Sequence, residues 1–266
     1  MPVCIFCKSS SAPFLAVEHI IPESLGNTEH VLPPGVVCDR CNNYFAGSVE
    51  GPILRDEYFR QVRHRNGIPS KRKRVPSIGT LAFPQGLALD LGVDRDGERF
   101  IAPTNECDND RFVNMLNRRE RFSVLFPAPT PPRGTLFARF LITIALRAFA
   151  KLALKVPGGL EADHIYNTQL DEARNFARYG AGPRDWPYHE ISLYEDSRVF
   201  IDEENGSPFQ ISNEFDFLLT SAQELYFVIV LFGVQYTINL GGPEVEGFEK
   251  WLKENDYRSP LYLPSK

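Results

Sequence analysis

Four of the five cysteines sit as two pairs, Cys4-x2-Cys7 and Cys38-x2-Cys41. Thiolates spaced in this way converge on one tetrahedral ion, and a set of four matches a structural Zn²⁺ site with no coordination position left open. A redox C-x-x-C pair and an iron–sulfur cluster are the chemistries that compete for the same pattern. Between the pairs runs Glu18-His19-Ile20-Ile21-Pro22-Glu23-Ser24-Leu25-Gly26-Asn27, and Asn42-Asn43 follows the second pair directly. An imidazole of ordinary pKa near ~6.5 is mostly neutral at pH 7 and accepts a proton. Beside a carboxylate and an amide oxygen, it completes the group types used in metal-assisted hydrolysis. The plainer alternatives are a Glu-His pair on a strand surface and an Asn that caps a helix.

These groups need elements to hold them. Ala16 to Ile21 reads as a short β-strand that Pro22 ends. After a Gly/Asn loop, Val36 and Val37 lead into the second cysteine pair, and a helix from about Asn42 is kept short by Gly47. So small a section buries little apolar surface, and a structural zinc site, which contributes roughly 10–16 kcal/mol in peptide systems, would staple it.

With the cysteine pairs in place, the stretch from Cys4 to about Gly47 resembles the HNH (His-Me finger, ββα-metal) endonuclease family. It is closest to a bacterial subgroup that reads C-x2-C, then E-H-I-I-P, then C-x2-C-N. The resemblance implies a ββα-metal fold, a structural zinc on Cys4, Cys7, Cys38 and Cys41, and His19 as general base. It also implies a catalytic Mg²⁺ or Mn²⁺ on Glu18 and Asn42, with Asn43 as the fallback ligand, and cleavage to 5′-phosphate and 3′-hydroxyl ends. Glu in place of the family's usual Asp lengthens the ligand arm by one methylene. The family's middle Asn, which orders the loop between strand and helix, has Asn27 and His30 as candidates and stays unassigned at this point.

Net charge is −5, so the chain as a whole is no polycation, and nucleic-acid binding has to use a local patch. Residues 55–74 supply one, with eight Lys or Arg against two acids. Arg60, Arg63, Arg65, Lys71, Arg72, Lys73 and Arg74 are its candidates for phosphate contact, with Tyr58 and Phe59 nearby; the alternative is a solvated linker. His30, His164, His189 and Cys107 carry no comparable context.

The chain divides on this reading into an HNH module at 1–54, a basic linker at 55–76 and a mixed α+β domain at 77–266. Helical patterns fall at about 109–119, 135–155, 168–179 and 244–254. Strands are expected at 188–195, 197–202, 213–220 and 225–240, the last a hairpin bending near Gly233. Helices and strands mix without βαβ alternation, which makes the fold class α+β. The apolar run Leu136 to Leu154 is broken by Arg139, Arg147 and Lys151 and reads as a buried soluble helix. Those cations, continued by Lys155 at spacings of four and eight, read as its solvated edge.

No secretory signal opens the chain, so the expected compartment is the cytoplasm, without disulfides or a membrane partner. The expected function is a metal-dependent endonuclease acting on nucleic acid, DNA before RNA, in a setting such as restriction or defence. The C-terminal domain is left to substrate positioning, a homodimer contact or a regulatory partner. Two rivals stand beside it: a non-catalytic zinc-ribbon module that binds nucleic acid, and a zinc-stapled structural or interaction protein.

Overall fold

The computed structural model describes residues 2–70, 72–156, 162–182, 185–195, 198–201, 206, 208–209 and 213–262. The fold is mixed α+β and divides into two compact units, one built from Met1–Ile53 and Arg133–Lys266, the other from Leu54–Pro132. The division expected from composition ran in linear order and set a boundary after residue 76. Contacts instead close the first unit around a discontinuous chain, because strands and helices beyond residue 133 pack with the cysteine-bearing segment.

In the first unit, β1 (Glu18–His19) pairs antiparallel with β2 (Val31–Leu32). The strand expected over 16–21 is thus only two residues long. Helix α1 (Asp39–Phe45) continues through a wider π-type turn, Ala46–Glu50, into α2 (Gly51–Arg55), so Gly47 does not end it.

A second layer starts with α5 (Thr135–Lys155), whose 21 residues match the apolar run and are buried along most of their length. After α6 (Ala162–Tyr166) and α7 (Asp171–Tyr179) comes a four-stranded antiparallel sheet in the order β10-β11-β12-β7. Its strands are β7 (Tyr188–Ser192), β10 (Phe215–Leu219), β11 (Leu225–Leu231) and β12 (Val234–Asn239). β11 and β12 are buried on both faces; β11 accordingly reads as an unbroken apolar run, while β12 alternates and buries Gln235, Thr237 and Asn239. Phe137 of α5 meets Tyr236 at 4.9 Å, and Phe248 of α8 (Glu246–Glu254) meets Tyr226 at 5.7 Å. A short pair, β8 (Phe200–Ile201) with β9 (Pro208–Phe209), lies apart from that sheet.

The second unit holds α3 (Glu57–Arg65), α4 (Asn109–Asn117) and a four-stranded antiparallel sheet in the order β5-β4-β3-β6. Its strands are β3 (Ile78–Phe83), β4 (Leu87–Val93), β5 (Arg99–Pro103) and β6 (Ser123–Leu125). Ala82, Leu87, Leu89, Phe112 and Met115 form its core. The expected linker is therefore structured: Asp56 caps α3 by accepting from the Tyr58 amide, and Phe59 and Val62 are fully buried. Among the described residues no helix is long and apolar enough to cross a membrane.

The β11–β12 hairpin turns at Phe232 and Gly233, both at positive φ, and a Cβ on Gly233 would run into the Tyr194 carbonyl. A left-handed non-Gly residue costs roughly 1–2 kcal/mol before any clash. Gly233→Ala should therefore lower Tm by at least ~2 °C in a chain of this size. Calorimetry showing an unchanged Tm would contradict this turn geometry.

Candidate active site and zinc centre

The two cysteine pairs meet because each is built into a tight local turn. The Lys8 amide donates to the Cys4 carbonyl at 2.9 Å with Lys8 at φ +57°, which wraps the first pair back on itself. Cys38 precedes α1 and Cys41 lies within its first turn, so helical spacing puts both sulfurs on one side. The Ile5 amide donates to the Val36 carbonyl at 3.0 Å and draws the two turns together.

The four sulfurs lie within 4.8 Å of one another, with Cys7 and Cys38 3.7 Å apart, and no disulfide joins them. A tetrahedron with Zn–S bonds of ~2.3 Å has an edge of about 3.8 Å, so the cluster has the size of a zinc site. Its electrostatics point the same way. A hydrogen bond from Cys41 holds the Cys4 thiol down at about 5 against the effect of burial. That same bond, followed by burial, pushes Cys41 up, while burial pushes Cys38 up to about 11. Thiols this crowded cannot all ionise by themselves, and a dication is what lets four protons leave. The four cysteines are positioned to bind a zinc ion.

Asp39 then ties this centre to the chain entering the hairpin. Its carboxylate accepts from the amides of Leu15 and Ala16 at 3.0 and 3.1 Å, and its own amide donates to the Pro13 carbonyl. Between the strands Asn27, 1% exposed, orders the loop. Its Nδ2 donates to the carbonyls of Ile21 and His30, at 2.7 and 3.0 Å. Its Oδ1 accepts from the amides of Glu29 and His30, at 3.1 and 2.8 Å. Of the two candidates, Asn27 is the one whose side chain orders this loop between the strands. The ring of His30 packs instead on Phe215.

Glu18 and His19 are consecutive on a strand, so their side chains project to opposite faces. Glu18 is buried, and its carboxylate forms an ion pair with Arg147 of α5. His19 is half-buried; its Nδ1 is enclosed and has no hydrogen-bond partner among the described residues. Asn42 is half-buried and Asn43 exposed, both on α1. Among the described residues the cysteine cluster is the one group of three or more His, Cys, Asp or Glu side chains close enough to hold a metal. A Mg²⁺ or Mn²⁺ ion asks for less than that, since it keeps several waters and takes phosphate oxygens of the substrate.

The face of α5 read as a solvated edge is a correction. Arg147 has a fully buried side chain, pairs with Glu50 at 2.6 Å as well as with Glu18, and lies over the Phe45 ring at 5.7 Å. Lys151 donates to the Val31 carbonyl at 2.8 Å, and Arg139 to the Tyr44 hydroxyl at 2.9 Å. Spacing by four identified one helix face correctly, but that face is covered at Arg147 and partly at Arg139 and Lys151, and only Lys155 is exposed as expected.

The basic run divides by exposure. Arg72, Lys73 and Arg74 are exposed, and Lys71 lies outside the described residues. Arg60 pairs with Glu57 and donates to the Ser77 carbonyl, and the exposed Arg65 donates to Gln61. Tyr58, His64 and Arg65 line a cavity of about 720 Å³ with Arg99 and Phe126. Arg63 is corrected: it is buried on the packed side of α3 beside Val62, donates to the Leu54 carbonyl, and offers no surface to a phosphate. Phe59 is buried as well, so it has no ring face for a base.

Protein purified without added metal should contain about one zinc per chain, because the metal's binding energy is folding energy for such a site. Cys38→Ser should lose that zinc and the protease resistance of residues 1–53. A Cys38→Ser protein that stays zinc-loaded and resistant would refute the assignment.

Residues 4–57 match the family model described as HNH endonuclease. No curated protein and no solved structure matches the chain. The match is a similarity confined to the cysteine-bearing segment, in which Asn27 orders the loop between the strands and four cysteines are set for zinc.

Proposed function

We propose that the protein is a metal-dependent endonuclease that hydrolyses phosphodiester bonds in DNA. The observation that carries this reading is the His19 motif on a two-stranded hairpin followed by the Asn42 helix, inside the segment that matches the HNH endonucleases. A bound Mg²⁺ or Mn²⁺ would supply neutralisation of charge on the phosphate and on the departing oxygen.

The chain's own groups do the rest. The imidazole of His19 takes a proton from a water whose oxygen bonds to phosphorus, and the bond from phosphorus to the 3′ oxygen breaks. Solvent returns a proton to that oxygen, leaving 3′-hydroxyl and 5′-phosphate ends. Asn42 offers an uncharged oxygen from a half-buried side chain to the ion. Glu18 serves the ion only as a carboxylate already oriented by Arg147, an arrangement common for metal-ligating carboxylates. Arg72, Lys73 and Arg74, joined by Lys71, contact phosphates and add affinity without reading sequence.

The inward Glu18 also favours a second reading, a module that binds nucleic acid without cutting it. Supercoiled plasmid with Mg²⁺ or Mn²⁺ separates the two. Wild type should nick it, EDTA should stop the reaction, and His19→Ala should lose at least ~10²-fold in rate while still binding DNA. Absence of cleavage on duplex and single-stranded DNA and on RNA would instead support the binding module.

Replacing Arg72, Lys73 and Arg74 together by Ala should flatten the plot of log affinity against log salt by about 0.9 for each phosphate no longer neutralised. An unchanged slope in fluorescence anisotropy would remove this stretch from the interface.

A further inference from the structure

We infer that Arg147, far outside the stretch that matches the nuclease family, is a positioning residue of the nuclease site, holding its strand half and its helix half in register. The inference rests on the endonuclease reading above and names a residue of that site which neither the motif nor the family match contains.

The guanidinium is fully buried and has two carboxylate partners from different elements. One is Glu18, the immediate neighbour of His19 on β1. The other is Glu50, at the end of the helical segment that runs on from α1, where Asn42 sits. The rigid guanidinium presents Nη1 to Glu50 as a hydrogen-bond donor and Nη2 to Glu18 as an ion pair, two positions that a single ammonium cannot occupy together. The ring of Phe45, the last residue of α1, lies beneath the same guanidinium. One turn further along α5, Lys151 donates to the carbonyl of Val31, the residue paired with His19 across the hairpin. Two successive turns of α5 therefore grip both strands, and one of those two side chains also grips the helix.

The consequence for chemistry follows from strand geometry. Because neighbouring side chains alternate, drawing Glu18 inward to Arg147 directs His19 to the opposite face. A hairpin with two residues per strand has few ladder hydrogen bonds of its own to fix its rotation. The Arg147 side chain is closed to solvent, so it acts through the groups it touches, Glu18, Glu50 and Phe45.

Arg147→Lys tests this directly, since it keeps the buried positive charge and loses the fork. In protein shown by circular dichroism to be folded and by metal analysis to carry its zinc, kcat on plasmid should fall about 10–100-fold. KM for DNA should stay within about twofold, the pattern of lost transition-state geometry rather than lost binding. Mn²⁺ binding to the DNA-free protein, read by electron paramagnetic resonance, should weaken by a similar factor. Gly233→Ala, distant from these residues in sequence and placed in another hairpin, serves as the stability control: it should lower Tm and keep wild-type kcat. If Arg147→Lys does not fold, Glu50→Gln takes its place, with the same split between kcat and KM expected.

Wild-type kcat and Mn²⁺ binding in a folded Arg147→Lys or Glu50→Gln variant would overturn the inference and leave the endonuclease reading intact. A kcat loss in Gly233→Ala equal to that in the variant would overturn it too, by reducing the effect to stability. A wild-type protein that neither cleaves nor binds Mn²⁺ would overturn the endonuclease reading and this inference with it.

Discussion

The hairpin that carries Glu18 and His19 has two residues on each strand, so its own ladder supplies few hydrogen bonds and its geometry has to be imposed from outside. Three constraints do this, each from a different direction. The sulfur cluster joins the chain ahead of the hairpin to the start of α1. The side chain of Asn27 satisfies four backbone groups in the loop between the strands. Arg147 and Lys151 hold the strands against α5. Side-chain hydrogen bonds to backbone here replace the pairing that a longer sheet would provide.

Both polar centres of this region obey the same electrostatic rule, that buried charge persists only beside its opposite. Four thiols at the spacing seen here resist joint ionisation, which makes a dication their natural complement. In the second centre a buried guanidinium sits between two carboxylates and over an aromatic ring. Each centre joins segments far apart in sequence.

What sequence revealed and what it hid follow from how local each signal is. The cysteine pairs were legible because a C-x2-C turn is a property of four residues and because soft thiolates have few other uses in this spacing. Helix α5 was legible at both ends, as its apolar run is too long for a strand. The hairpin at Gly233 showed because two runs rich in β-branched and aromatic residues meet at a residue that accepts positive φ. The fate of the α5 cations was not legible, since periodicity defines a face without saying what covers it. Arg63 was hidden for the same reason: within a basic run every cation looks solvated until the packed side of α3 is known. Asn27 needed backbone coordinates, as loop asparagines are common and only their partners distinguish them. The β3–β6 sheet escaped because its alternation is short and includes small residues such as Gly79 and Ala82. The discontinuous first unit was out of reach for any reading in linear order.

The buried triad also bears on whether the family-matched segment can be regarded as a self-contained unit. Removing one partner of a buried ion pair costs roughly 3–5 kcal/mol, because the charge left behind has no compensation. Whole domains are stable by only about 5–15 kcal/mol. Glu18 and Glu50 lie within the family-matched stretch, while their shared guanidinium comes from α5, and α7 adds Arg174, which donates to the Ile5 carbonyl at 2.7 Å. The family-matched stretch is therefore one part of a folding unit, and the helices after residue 133 belong to that same unit.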